Sequence, residues 1–308
     1  MRYLLLLCGL WACTAPADAP EPNIPTTGPY LTVLGTAQDA GAPQLGCTKA
    51  CCTARRLNGR TERVVGLAVT DPDSDQHYLF DASPDLTLQL NDAQITPDRL
   101  GGIFLTHAHM GHYAGLLQLG REAAGTKRVP VYAMPRMDTF LRRNGPWSQL
   151  VDLQNIELRA LSAHEPVSVN ERLRITPFPV PHRDEFSETV GYLIEGPARR
   201  ALYLPDIDKW ERWAVPIDSL VRTVDYAFLD ATFYTAEELP GRDMREIPHP
   251  FVVESLARFE ALSPADRQRI FFIHFNHTNP LLDPTSEATR RVEAAGFGIA
   301  RTEMRVAL

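Results

Sequence analysis

Positive charge is in short supply in this 308-residue chain, where 31 Lys and Arg stand against 38 Asp and Glu for a formal net charge of −7. A long polyanion meets net repulsion, and no basic patch offsets it, so nucleic acid is disfavoured as a partner. Internal repeats, low-complexity stretches and a multi-span apolar pattern are also lacking. A composition of 44% hydrophobic and 22% charged residues is that of a packed globular protein, which excludes a disordered or collagen-like chain. Cysteine is scarce, with five in the whole chain, so where it falls matters more than its count. The length allows one large domain or two small ones.

Two of the cysteines, Cys8 and Cys13, sit in a segment that reads as an export signal. Met1-Arg2-Tyr3 precedes an apolar run from Leu4 to Ala12, too short to span a bilayer but the length of a signal-peptide apolar region. Leu10-Trp11-Ala12-Cys13 resembles a lipoprotein cleavage box, with bulky Trp11 as a departure, and a second cleavage point lies near Ala17-Asp18-Ala19. The expectation is a signal peptide over residues 1–19, a Pro- and Ala-rich tether over 20–29 and one domain over 30–308. The mature protein is then periplasmic or held at the membrane through a lipid on Cys13.

Beyond the tether, strands and helices alternate in the first and last thirds and flank a strand-rich centre from Ile156 to Leu204. That order suggests an α/β fold of two sheets packed face to face with helices outside. Ser83 with Pro84 predicts a helix start, and the apolar spacing from Tyr113 to Ala124 predicts a helix.

Chemistry concentrates where an apolar strand, Gly102 to Thr106, empties into His107-Ala108-His109-Met110-Gly111-His112. On an extended chain residues i and i+2 point the same way, so His107 and His109 can face one metal while His112 reaches a second. Neutral imidazoles with an open position are what a zinc site needs to ionise a water.

Here the sequence resembles the metallo-β-lactamase-fold superfamily, whose signature after such a strand is H-x-H-x-D-H. The resemblance implies an αββα four-layer sandwich. Downstream runs fit the remaining motifs in order: Phe178-Pro179-Val180-Pro181-His182, Leu202-Tyr203-Leu204-Pro205-Asp206 and Phe271-Phe272-Ile273-His274, with Leu79-Phe80-Asp81 ahead of them. It implies that His107, His109 and His182 hold a first metal and that His112 and His274 hold a second. Asp206 would bridge the two, and Asp81 would orient the histidine loop. The catalytic set is then Asp206, His112 and Asp81. Position 111 departs from the signature, because glycine brings no ligand. The expectation is one or two zinc ions with the second site weakened, unless an acid such as Asp39 or Asp208 substitutes; iron is the alternative metal.

The other three cysteines narrow the resemblance. The run from Gly35 to Cys52, glycine-rich and carrying Cys47, Cys51 and Cys52, is similar to the first loop of coenzyme-PQQ-synthesis-protein-B-like and PhnP-like members. There a cysteine cluster holds a structural zinc, and His277, three residues after His274, would complete a Cys47, Cys51, Cys52, His277 site. A disulfide is the competing reading, since an exported protein permits one, but three cysteines leave one unpaired.

Arg183, Asp208 and His249 fall on loops rich in polar residues and are candidates to bind substrate. The leading expectation is an exported hydrolase in which a metal-bound hydroxide attacks a small phosphodiester or ester-like molecule. The alternatives are an iron- and oxygen-dependent step in quinone-cofactor biosynthesis, or a metal-binding lipoprotein without turnover.

Overall fold

The computed structural model describes residues 28–241, 243 and 247–308. The expected signal peptide, Cys13 and most of the tether lie outside the described residues.

The chain first runs through β1 (Tyr30–Gly35), β2 (Gly66–Asp71), β3 (Gln76–Phe80), β4 (Leu100–Phe104), β5 (Val129–Ala133) and β6 (Ile156–Ala160). It continues through β7 (Val167–Ser168), β8 (Arg174–Pro179), β9 (Val190–Glu195), β10 (Arg200–Leu204), β11 (Tyr226–Asp230), β12 (Ile270–Ile273) and β13 (Gly298–Ile299) before β14 (Arg305–Ala307) returns to pair with β1. Two seven-stranded sheets result, ordered β14-β1-β2-β3-β4-β5-β6 and β13-β12-β11-β10-β9-β8-β7. Each is antiparallel at one end and parallel at the other.

Side chains alternate across each strand, and this alternation sorts the core into layers. Tyr78, Phe80 and Phe104 of the first sheet meet Tyr192, Tyr203, Phe228 and Ile273 of the second between the sheets. Their neighbours Leu79 and Ile103 point outward under helices carrying Leu86, Leu90 and Leu141. Leu202, Leu204 and Phe272 do the same on the far side beneath Val252, Phe259 and Val292. The order is helix, sheet, sheet, helix. It is the αββα sandwich.

Two local expectations fail for physical reasons. The helix after β3 starts at Leu86 rather than Pro84, because Ser83 Oγ accepts from Asp85 N–H (3.1 Å) and closes a turn ahead of it. The helix that opens at Met110 stops at Tyr113 and passes into a 3₁₀ segment, Ala114–Leu119. A continuing α-helix would bond the His112 carbonyl to Leu116 N–H, but that carbonyl accepts from Ala82 N–H (2.8 Å) instead. Tertiary contact overrides the helical spacing, and it ties the histidine loop to the residue after Asp81.

Candidate metal centre

Five strand ends converge on one edge of the sandwich. Asp81 follows β3, the histidine run follows β4, Asp206 follows β10, Asp230 ends β11 and His274 follows β12. All lie at carboxyl ends of strands in parallel pairs, where open α/β sheets place their ligand crevices. Asp81 and His274 take left-handed backbone angles, φ +69° and +68°. Such angles in non-glycine residues persist only where surroundings enforce them.

The structure brings His107, His109 and His182 together, with ligand atoms within 4.8 Å of one another. His107, His112 and Asp206 form an adjoining group, as do Asp39, His112 and His274. Asp206 Oδ2 stands 2.9 Å from His112 Nε2, 3.2 Å from His274 Nε2 and 3.7 Å from His107 Nε2. Its other oxygen is 3.6 Å from His182 Nε2. Asp206 thus lies between the two histidine groups. Asp208 does not reach the second group.

Outside this ring the unused nitrogens of His107, His109, His112 and His274 are held. Asp81 takes His112 Nδ1 on Oδ2 (2.7 Å) and Thr106 N–H on Oδ1 (2.8 Å). Thr232 Oγ1 lies 2.9 Å from His274 Nδ1, and Thr106 Oγ1 lies 3.0 Å from His107 Nδ1. Glu185 holds His109 Nε2 at 3.0 Å. Such outer contacts fix the ring and the tautomer of a metal ligand. Asp230 repeats the Asp81 device, taking His249 Nδ1 on one oxygen (2.8 Å) and Thr232 N–H on the other (2.9 Å). Sequence reasoning missed Asp230 and Thr232. Their signal is present in Phe228-Leu229-Asp230, an apolar strand that ends in an acid like Leu79-Phe80-Asp81.

Burial and charge set the protonation of the cluster. Burial, helped by neighbouring imidazoles, holds His107 well below the ordinary histidine value. For His112 burial opposes the charge, yet Asp81 and Asp206 push it well above that value. Burial opposes charge on Asp206 too, and His274, His112 and His107 nevertheless hold its carboxyl well below the usual carboxylate range. The buried atoms His112 Nε2, His182 Nε2, His274 Nε2 and Asp206 Oδ2 have no hydrogen-bond partner. Buried polar atoms are normally satisfied, so converging lone pairs of this kind fit divalent cations.

The cluster adjoins a cleft of about 360 Å³ lined by Gln38, Asp39, Arg183, His249, Asn276 and His277, among others. Arg183 and His249 are on its wall. Asp208 is not, which corrects its assignment as a substrate-binding residue. It is buried, with Oδ1 3.4 Å from His182 Nδ1 and Oδ2 accepting from Arg212 (2.9 Å). It stands beside His182 as a charged neighbour, with neither Asp208 Oδ1 nor His182 Nδ1 making a hydrogen bond.

A second cluster lies beyond the cleft wall, where Cys47, Cys52 and His277 bring their ligand atoms within 4.8 Å. Cys51 is outside that set, against the expected four-membered one. Cys51 and Cys52 open a helix, Ala50–Leu57, within the stretch expected to be a loop. Adjacent helical residues diverge by about 100°, so Cys52 turns inward while Cys51 stays half-buried beside a groove shared with Arg55. All three thiols are free. Gln44 N–H donates to Cys52 Sγ (3.3 Å), and burial pushes the Cys52 thiol up to about 11.

Known proteins place this geometry. Residues 76–275 match the Beta-lactamase superfamily domain. Coenzyme PQQ synthesis protein B of Rhizobium meliloti is 29% identical over 310 residues, covering 90% of this chain and 97% of that protein. Among solved structures, the Zn²⁺-bound PqqB of Methylobacterium extorquens superposes with a TM-score of 0.75 at 23% identity, covering 91% of this chain and all of that one. A diphosphatase of the PhnP family gives 0.67 at 24% identity, covering 91% and 97%. The chain therefore belongs to the metallo-β-lactamase superfamily, with its similarities running to the PqqB and PhnP branches.

Proposed function

We propose that the chain is a metal-dependent hydrolase of a small anionic ester, a phosphodiester or diphosphate being the best fit. One observation carries this reading: a carboxylate, Asp206, sits between two histidine groups beside a cleft that also holds a guanidinium and an imidazole. Metal ions bound there would acidify a water and polarise a substrate oxygen. His107, His109 and His182 would hold one ion, His112 and His274 the other, and Asp206 would face both. Asp81 is a positioning residue, fixing His112, and Asp208 stands as a charged neighbour of His182. Arg183, exposed at the rim, offers two parallel N–H donors to a phosphate or carboxylate. His249 is buried, which opposes its charge, but Asp230 and Asp206 raise its pKa. On the cleft wall, with Nδ1 held by Asp230 (2.8 Å), its ring is placed to pass a proton to a leaving oxygen.

The test is a panel of chromogenic phosphodiesters and diphosphates, assayed on zinc-, manganese- and iron-loaded protein beside His109→Ala. Turnover that vanishes in the variant supports the reading; inertness of every loaded form sinks it. Similarity along nearly the full length to proteins of coenzyme PQQ synthesis favours a second reading, a step in making a quinone cofactor. Oxygen uptake that needs ferrous iron would select it. We also propose that the N-terminal segment exports the protein and that Cys13 anchors it. Fractionation of cells expressing the full chain and Cys13→Ala tests this, with the variant expected to leave the membrane fraction.

A further inference from the structure

We infer that Asp39 supplies the second metal site with the carboxylate that position 111 lacks, so that the ligand has moved to another loop rather than been lost. This rests on reading the histidine cluster as a metal centre. It replaces the expectation of a weak second site.

Asp39 comes from the loop after β1, far in sequence from the histidine run, yet its Oδ1 lies 3.7 Å from His112 Nε2 and its carboxylate groups with His112 and His274 within 4.8 Å. Backbone pairing puts it there. Gln38 N–H donates to the Phe275 carbonyl (2.8 Å), the residue after His274, and Gly41 N–H closes a turn onto the Gln38 carbonyl (2.8 Å). The turn holds Asp39 at its crest, on the cleft wall. Gly111 N–H donates to Asp39 Oδ1 (3.2 Å).

Gly111 is the other half of the argument. A Cβ built at position 111 would lie 2.4 Å from Asp39 Oδ1 and 2.6 Å from Asp39 Cα. Those contacts are impossible without movement, so the space a side chain at 111 would enter is the space the Asp39 carboxylate fills. A side chain at 111 and the Asp39 loop in its present path cannot share that space. With Asp39 counted, the second site has His112, His274, Asp206 and one further negative charge. The first, with three imidazoles and Asp206, becomes the less anionic of the two.

The experiment is zinc binding, read by elemental analysis after equilibration in buffers of defined free zinc. The full-length wild type is compared with Asp39→Asn, Asp39→Ala, Gly111→Ala and, as a first-site control, His182→Ala. Asp39→Asn and Asp39→Ala are expected to lose one equivalent, with affinity at that site falling at least about 100-fold, the upper end of what loss of a mere outer-shell partner costs. Gly111→Ala, by displacing Asp39, is expected to weaken the same equivalent without removing any ligand. Metal-free melting temperatures report whether each variant folds. Wild-type zinc content and affinity in both Asp39 variants would overturn the inference while leaving the metal centre intact. A wild type that takes up no zinc beyond the His182-independent cysteine equivalent would overturn both.

Discussion

The end of β12 feeds two clusters at once. His274 joins Asp206 and His112, and three residues later His277 joins Cys47 and Cys52. Both use buried or half-buried side chains suited to zinc, yet their surroundings differ in ways that bear on chemistry. The histidine cluster contains a shared carboxylate, is braced by Asp81 and Thr232, keeps unpartnered lone pairs and adjoins a cleft. The cysteine cluster uses sulfur, folds its own loop over itself through Arg56 bonds to the Gln44 and Cys47 carbonyls (2.6 Å each), and contains no acid. Open positions mark catalytic zinc sites and closed sulfur-rich sets mark structural ones. Both clusters border the same cleft, through Asp39 and His249 on one side and His277 on the other; sulfur ligands and the absence of a carboxylate set the cysteine cluster apart.

The widest gap between the clusters should show in Asp206→Ala. Loss of the residue between both histidine groups is expected to lower kcat/KM by about 10³-fold or more, since metal polarisation contributes several kcal/mol at the transition state. The cysteine cluster should keep its zinc, as elemental analysis would show. Cys52→Ser is expected to behave in reverse. Unpinning a loop clipped to the far end of the chain costs about 3–4 kcal/mol, the scale of a cross-link over a long segment. At roughly 2–4 °C per kcal/mol, calorimetry should find the midpoint about 10 °C lower. Turnover per folded molecule should change only a few-fold. A Cys52→Ser protein with an unshifted midpoint and no turnover would erase the distinction between the clusters.

Much of this was legible in the sequence because the ligands sit on or just after short apolar strands, so strand and chemistry share one stretch of chain. Leu202-Tyr203-Leu204-Pro205-Asp206 is such a stretch, and so is Ile270 to His274. What was not legible depends on contacts between distant segments. The helix after His112 breaks because Ala82 captures a carbonyl, and no local pattern records that. Asp208 reads as a cleft residue until Pro181 accepts its backbone N–H (2.7 Å) and turns the carboxylate towards His182. Asp39 and Asp208 could both be named as substitute acids, but only the pairing of Gln38 with Phe275, between distant segments, brings Asp39 beside His112 and His274.

Smaller effects sharpen the comparison from within each cluster. Asp81→Asn keeps the shape of the side chain that holds His112 but removes the charge that fixes its tautomer. A 10–100-fold loss in metal affinity or activity is expected, the usual cost of an outer-shell partner. Metal titration separates this from Asp206→Ala, because the site survives in weakened form. Cys51→Ser probes the outer boundary of the cysteine cluster. Its thiol borders the groove and also interacts with Cys47, and its replacement by a hydroxyl of similar size removes no member of the converged set. The expected change is within about 0.5 kcal/mol, the range of ordinary surface substitutions, with zinc content equal to wild type. A midpoint drop matching that of Cys52→Ser would mean that metal binding draws Cys51 inward, and the cluster would then be a four-ligand site that closes only when loaded.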